Sequence, residues 1–446
     1  MVKSYDFTQG NIFKQLFVFS GPIILTNLLQ ISYQFIDSLW VGNLIGEEGL
    51  GAVSLAGTVL TTVLAFVIGL NNAALTILSQ QKGRGSEAGL KRYLNAFIVI
   101  LTVLSLVFGI FGFLFSEPIL RLMGTPADML DMADAYLKIS FLGILFIYGY
   151  NFIGTVFRSI GDSKTPLYFV LIAVICNAII DPIFIAGFGW GIKGAAIATV
   201  FSQALAFLIG AIYTYRHKLV PLVKPHLPAK NEIFTILKLG VPAGLQMSVI
   251  SAGSMAIMGV VTSFGSPVVA GYGAAKRLDS IIMLPAQALG TSVNSMAGQN
   301  IGAGNWKRVH KITLYGFIYN VIFMLGFAVL IFLFADYGIK LFLQEAQAVD
   351  FGTKYLKIIA FFYPFLGINF ILNGTVRASG AMFQVLVLNF ISFWILRFPL
   401  TSIFAQRFGE NGIGLGMGLS FLVSSIVAFL YYQFGKWRHK DLIREK

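Results

Sequence analysis

From Gln15 to Ile36 the chain runs twenty-two residues without a charged side chain. Runs of this kind recur from end to end, and they constrain the fold more than any other feature. A bilayer core offers no water to backbone N–H and C=O groups, so a spanning segment must satisfy them internally. Apolar runs of about 20 residues therefore read as transmembrane helices. Composition agrees: 57% of the 446 residues are hydrophobic and only 11% are charged. Abundant Phe (42) and Gly (47) suit helices that pack closely and face lipid. The single cysteine, Cys176, excludes an intramolecular disulfide and any Cys-based metal cluster. Four scattered histidines argue against a zinc site. The opening MVKSYDFTQGN has no short apolar core with a cleavage site, so the first apolar segment is expected to be a retained helix.

The predicted fold is an all-α membrane protein with twelve spans. They fall near residues 12–40, 51–80, 93–116, 135–157, 165–187, 192–215, 233–262, 268–298, 310–335, 352–376, 383–405 and 411–435. The net charge of +13 fits basic cytoplasmic loops better than nucleic-acid binding, because no basic segment is long enough for a soluble binding module. Basic residues favour alternate loops. One side holds Lys3, Lys14, Lys82, Arg84, Arg158, Lys164, Lys218, Lys224, Lys307 and the tail KWRHKDLIREK. The other is richer in acids, such as Glu47, Glu117 and Asp128. This bias and an even number of spans place both termini in the cytoplasm.

The chain also repeats itself. YLKIS at Tyr136 returns as YLKII at Tyr355, 219 residues later. GTVFRSIG at Gly154 returns as GTVRASG at Gly374, QQKGRG at Gln80 as QNIGAG at Gln299, and SGP ending at Pro22 as GVP ending at Pro242. Six spans per half make this a parallel repeat, with a pseudo-two-fold axis along the membrane normal. The expected division is an N-terminal lobe over 1–217, a polar, Pro-containing linker over 218–230 and a C-terminal lobe over 231–446. Two related lobes suit rocking around a central site, although a channel or scramblase could share the plan.

Ionisable groups inside a membrane are costly and usually functional. Two acids stand out. Asp37 ends the uncharged run, and Asp181 is the only charged residue between Thr165 and Ile192. Counted from Lys14 and Lys164, they lie roughly 35 Å and roughly 26 Å along their helices at 1.5 Å per residue. Both fall in the outer half of the N-terminal lobe, and Thr199 comes back to a similar depth. Tyr33 and Gln34 precede Asp37 by one helical turn, and Asn177 precedes Asp181 by four residues, so each set shares a face. Carboxylate, amide and hydroxyl oxygens are hard ligands suited to Na⁺ or to a proton. Two close carboxylates in a low dielectric do not both ionise readily, so one is expected to hold a proton. The structural alternative is that each Asp merely caps a helix. Asp181 precedes Pro182, a common helix-start pattern.

The second half has apolar residues at the matching positions, near Ile257 and Leu400. Its own charges are Lys276, Arg277 and Asp279 in GAAKRLDS and Arg397 in WILRFPL. The favoured reading pairs Lys276 or Arg277 with Asp279, and has Arg397 meet the backbone or snorkel to the interface. The alternative puts Asp279 or Arg397 on the wall of a cavity.

SGPIILTNLLQ, FIDSLWVG, GTVFRSIGDSKTP and NAIIDP, set in two six-helix lobes, resemble the multidrug and toxic compound extrusion (MATE) family over nearly the whole chain. The resemblance implies two helix bundles exporting organic cations against inward H⁺ or Na⁺. Asp37, Asn177, Asp181 and Thr199 match the N-lobe cation site of the DinF-like prokaryotic branch, with Na⁺ held by these four if sodium is coupled. Tyr33, Gln34 and Tyr136 match its surroundings or substrate cavity, and Pro22 the proline near which the first helix bends. The NorM-like branch carries extra acids in the seventh and tenth helices. Here those helices have Gln246, Asn369 and Asn373 instead, which argues against a C-lobe sodium site.

The expected function is therefore multidrug efflux by cation antiport in a prokaryotic plasma membrane. No cofactor beyond the coupling ion, no enzymatic activity and no nucleic acid is expected. The partners are organic cations and membrane lipids, and the expected state is a monomer. A lipid-linked precursor flippase is the alternative transporter; it would need a cavity rich in Arg and Lys. An intramembrane aspartyl protease fits poorly, since the only Gly-Asp pair, Gly161-Asp162, lies in a basic loop.

Overall fold

The computed structural model describes residues 5–217, 221 and 225–439. Lys3, Lys218, Lys224, the end of the basic tail and most of the first half of the expected linker lie outside the described residues. Among those described, every regular element is a helix. In chain order they are α1 (Ile12–Leu44), α2 (Glu47–Gly83), α3 (Glu87–Leu122), α4 (Ala127–Leu142), α5 (Ile144–Ser159), α6 (Lys164–Pro182) and α7 (Gly191–Arg216). Then come α8 (Lys230–Thr262), α9 (Ser266–Ile282), α10 (Leu284–Gly302), α11 (Trp306–Lys340), α12 (Ala346–Ala360) and α13 (Tyr363–Ala378). The last three are α14 (Met382–Phe390), α15 (Phe398–Phe408) and α16 (Asn411–Phe434). A π-helical turn, Ile183–Gly187, extends α6, and another, Ile391–Arg397, joins α14 to α15.

Nine helices among the described residues, counting α6 and α14–α15 with their π turns, are long and apolar enough to cross a membrane. The pairs α4–α5 and α12–α13, each bent by 55°, raise the number to eleven. The one remaining expected span, the eighth, near 268–298, is helical but broken at Met283 into α9 and α10. It fails the apolar test because α9 carries Lys276, Arg277 and Asp279, and α10 carries buried Asn294, Gln299 and Asn300. The fourth expected span is likewise bent rather than straight. At its bend a Cβ on Gly143 would collide with the Val200 side chain of α7, so only glycine lets the two helices close there.

Large apolar side chains stand on the outside of the long helices. Val103, Leu106, Val107, Ile110 and Leu114 on α3 are each more than half exposed, as are Leu325, Val329 and Leu333 on α11. In water this would be an aggregation surface; in a bilayer it is the surface that meets lipid.

The chain forms two compact units: residues 1–5 with 25–238, and residues 6–24 with 239–446. In unit 1, Tyr5 N–H donates to the Gly161 carbonyl at 3.1 Å. Asn95 on α3 clasps the segment before α8, donating to the His226 carbonyl at 2.9 Å and accepting from His226 N–H at 3.1 Å. In unit 2, the arm before α1 is held by the repeated Gln-Asn motif. Phe7 N–H donates to Gln299 Oε1 at 3.2 Å, and Asn300 Nδ2 donates to the Phe7 carbonyl at 2.9 Å.

The repeat is visible in the backbone. Gly85 and Gly304 take φ of 68° and 73°, and Gly161 and Gly380 take 91° and 85°, at equivalent helix ends. These left-handed conformations favour glycine, which explains why the motifs end as they do. Asp162, just after Gly161, caps α6. Its Oδ1 accepts from Lys164 N–H at 2.9 Å and from Thr165 N–H at 3.1 Å.

Candidate cation site in unit 1

The C-terminal half of α1 brings Tyr33, Gln34 and Asp37 to one side of unit 1. Asp37 sits in a helix without a neighbouring cation, so burial must be met by hydrogen bonds from elsewhere. α7 supplies one: Thr199 Oγ1 donates to Asp37 Oδ1 at 3.3 Å. Tyr33 OH donates to the Thr199 carbonyl at 3.4 Å, tying the same turn of α7 to α1. On α6, one turn of helix joins Asn177 to Asp181, with Asn177 Nδ2 donating to Asp181 Oδ1 at 3.0 Å. Asn177 and Asp181 are fully buried and Asp37 is 7% exposed. The two carboxylates interact electrostatically with each other, and Tyr136 on α4 lies within reach of both charges.

Asp181 lies at the C-terminal end of α6, immediately before the π turn. It is therefore not a helix-start cap. Its carboxyl lies within hydrogen-bonding reach of that of Asp37, so the two can share a proton; apart from that contact, its Oδ2 and the side-chain oxygen of Asn177 are buried without a partner. Buried oxygens without a partner ask for an explanation, here as at Asn71, Asn320 and Asn373. A bound cation or a carboxyl proton would satisfy those of Asp181 and Asn177.

Asp37 and Thr199 open onto a cavity of about 480 Å³ inside unit 1. Tyr33, Gln34 and Tyr136 also line it, whereas Asn177 and Asp181 stand behind that wall. The wall also holds polar residues that were not singled out from the sequence, among them the four larger ones Gln30, Tyr150, Asn151 and Gln203. Two of them had a readable signal. Gln30 is one turn before Gln34 and Gln203 one turn after Thr199, each on the face already marked. Tyr150 and Asn151 had none, because nothing in α5 indicated which face turned inward. Pro22 lies within α1, which continues as one helix through it, in the stretch that groups with unit 2.

Unit 2 places its charges differently. Asp279 receives the Tyr363 hydroxyl and pairs with Lys276 at 3.3 Å, as the favoured sequence reading expects. Arg397 departs from expectation. It neither snorkels nor pairs with a main-chain carbonyl: it is 6% exposed, its guanidinium lies 3.8 Å from the Phe393 ring centroid and 4.5 Å from that of Phe421, and its Nε donates to Ser420 Oγ at 3.3 Å. A planar, weakly hydrated guanidinium stacks on rings where an ammonium would not, so burial between two Phe residues is open to it. Arg277 is exposed and lies over Phe342. Among the described residues no three of His, Cys, Asp and Glu gather to hold a metal ion.

The sequence matches the family model described as MatE twice, over residues 22–183 and 242–403, one copy per repeat. It is 58% identical over 445 residues to the probable multidrug resistance protein YpnP of Bacillus subtilis (strain 168), covering 100% of both chains. It is 30% identical over 449 residues to the probable multidrug resistance protein YoeA of the same organism, covering 98% of this chain and 96% of that one. The fold matches the crystal structure of the Vibrio cholerae MATE transporter VcmN in the bent form with a TM-score of 0.91, at 23% identity, over 96% of this chain and 97% of that one.

Proposed function

The chain belongs to the MatE family, and from that premise we propose that it is a multidrug efflux antiporter. It exports organic, mainly cationic compounds from a prokaryotic cell in exchange for H⁺ or Na⁺, by alternating access, with both termini cytoplasmic. The relatives named above as multidrug resistance proteins support the substrate class. The observation that carries the coupling is local: a buried carboxylate on the wall of a large cavity, backed by a second buried carboxylate with which it can share a proton.

Asp37 is the carrier of the coupling ion and Asp181 its partner. Asn177 and Thr199 complete the oxygen set. That set fits Na⁺, which takes hard oxygen ligands, and equally fits a proton shared between carboxylates. Tyr33 orients Thr199, and Tyr136 and Gln34 form cavity wall against which a flat cation can rest. Loading the site neutralises Asp37, which weakens the attraction for a cationic drug in the same cavity; ion and drug thus bind with opposing preference. Pro22 is the place where α1 bends as that charge changes, because proline removes one helix hydrogen bond. The protein acts as a transporter without a cofactor, a monomer surrounded by lipid. The flippase reading draws only on Lys276, Arg277 and Arg397; Lys276 pairs with Asp279, Arg277 is exposed over Phe342, and Arg397 is enclosed by two rings.

Everted vesicles containing the protein, given a fluorescent organic cation under an imposed proton or sodium gradient, test the reading. Uptake should follow one gradient. Asp37→Asn should reduce ion-driven uptake by about tenfold or more, within the range of ordinary coupling energies. Unchanged uptake in a folded Asp37→Asn protein would make Asp37 structural and remove the mechanism.

A further inference from the structure

A second, smaller space adjoins the cavity. Gln30, Tyr150, Asn151 and Val170 line both the cavity and this narrow space of about 20 Å³, whose wall includes Thr26 and Arg158. A space of that size holds roughly one water molecule. On α1, Thr26, Gln30, Gln34 and Asp37 follow one another at helical spacing and make a polar stripe roughly 16 Å long at 1.5 Å per residue. On α5 a second stripe runs through Asn151, Thr155 and Arg158. Thr155 Oγ1 donates to the Asn151 carbonyl at 3.2 Å, and Arg158 Nη2 donates to Thr155 Oγ1 at 3.5 Å. Tyr150 links the two stripes, interacting with the Gln30 side chain and with the Arg158 charge. The α6 side of the space is Pro166, Phe169 and Val170, which offer no polar atom from their side chains.

We propose that this is a narrow water-holding passage from the cation site to the α5–α6 end of unit 1, and that Arg158 is its electrostatic plug. The inference rests on the cation-coupling reading above. A carboxylate site that exchanges an ion with one side must not leak it to the other, or the gradient is lost without export. Small closed spaces lined by amides and hydroxyls hold water, and water conducts protons and small cations. A guanidinium stays charged in proteins, and a fixed positive charge in a narrow pore excludes protons and cations. Arg158 is placed to do this because it lines the narrow space itself. Its repeat counterpart in unit 2, Arg377, donates to Gln246 Oε1 at 3.4 Å, and no carboxylate occupies the unit 2 positions that match Asp37 and Asp181. Arg377 therefore has no ion site to guard.

The test is substrate-independent ion leak, read by a pH-sensitive and a sodium-sensitive dye inside liposomes holding the purified full chain. Arg158→Gln should raise leak of one of these ions about tenfold or more, the order by which local fields change ion access. Arg158→Lys should stay near wild type, Arg377→Gln should not leak, and the double variant Asp37→Asn/Arg158→Gln should lose most of the added leak. Asn151→Asp, which sets a negative charge against the guanidinium without removing it, should also raise leak and serves if Arg158→Gln does not fold. Wild-type leak in every folded variant of Arg158 and Asn151 would overturn the plug, as would equal leak from Arg377→Gln. If the wild type drives no organic cation under either gradient, the antiport reading falls separately, while the leak comparison still decides the passage.

Discussion

The two units descend from one repeated pattern, yet they treat buried charge in opposite ways. In unit 1, Asp37 and Asp181 have hydrogen-bonding neighbours and each other, but no cationic partner. In unit 2, Asp279 has Lys276 and the Tyr363 hydroxyl, and Arg397 lies against two rings and a serine. A buried charge that is already matched has little reason to bind another ion. One that is unmatched stores a demand for a cation or a proton. Duplication thus repeated the scaffold, while the side chains added to it made one unit suited to ion binding and the other suited to staying as it is.

Removing an acid should separate the two. Asp279→Asn takes the carboxylate from Lys276 and Tyr363, and should lower stability by about 1–3 kcal/mol, since Lys276 is half in solvent and can be rehydrated. Ion-driven uptake by the protein that remains folded should persist. Thermal unfolding in detergent, measured beside Asp37→Asn, checks this. Asp37→Asn should lose transport with little loss of stability, because it removes a buried charge that has no cationic partner. If Asp279→Asn abolished coupling while keeping its melting temperature, the contrast between units would fail.

A smaller effect is expected at Asn177. Asn177→Ala removes the donor to Asp181 and one orphaned oxygen, and should weaken the apparent affinity for the coupling ion by about 5-fold or more at unchanged maximal rate. An ion titration of uptake reads this directly, and an unaltered half-saturation would take Asn177 out of the ligand set. The smallest effect belongs to Arg397. Arg397→Met keeps the volume between Phe393 and Phe421 but loses the stacking, and should cost about 1 kcal/mol or less of stability. A large transport defect there, with stability intact, would instead put Arg397 on a substrate path.

Much of unit 1 could be read before any coordinates. Charge is so scarce in these helices that Asp37 and Asp181 announce themselves, and helical spacing adds Tyr33, Gln34 and Asn177. Thr199 followed from counting back along the returning helix. Gln30 and Gln203 obey the same spacing and could have been added. Tyr150, Asn151 and Arg158 could not be placed as walls of a common space. Arg158 read as one more basic residue at a helix end, because spacing on one helix carries no information about which neighbour it faces.

The same division holds for the fold. The sequence by itself determined the helices, the duplication and the rarity of charge, since helix formation and apolar length depend on residues near one another along the chain. The glycines at 85, 161, 304 and 380 belong with these, because a left-handed turn is a property of a few consecutive residues. Only the tertiary structure decided that residues 6–24 group with unit 2, that the fourth and tenth spans bend by 55°, and that the eighth breaks at Met283. It also decided that Arg397 is enclosed by Phe rings, and that Asp37 and Asp181 meet as a carboxyl pair. These outcomes depend on how side chains from distant helices fill one volume, and burial is settled only when every neighbour is in place.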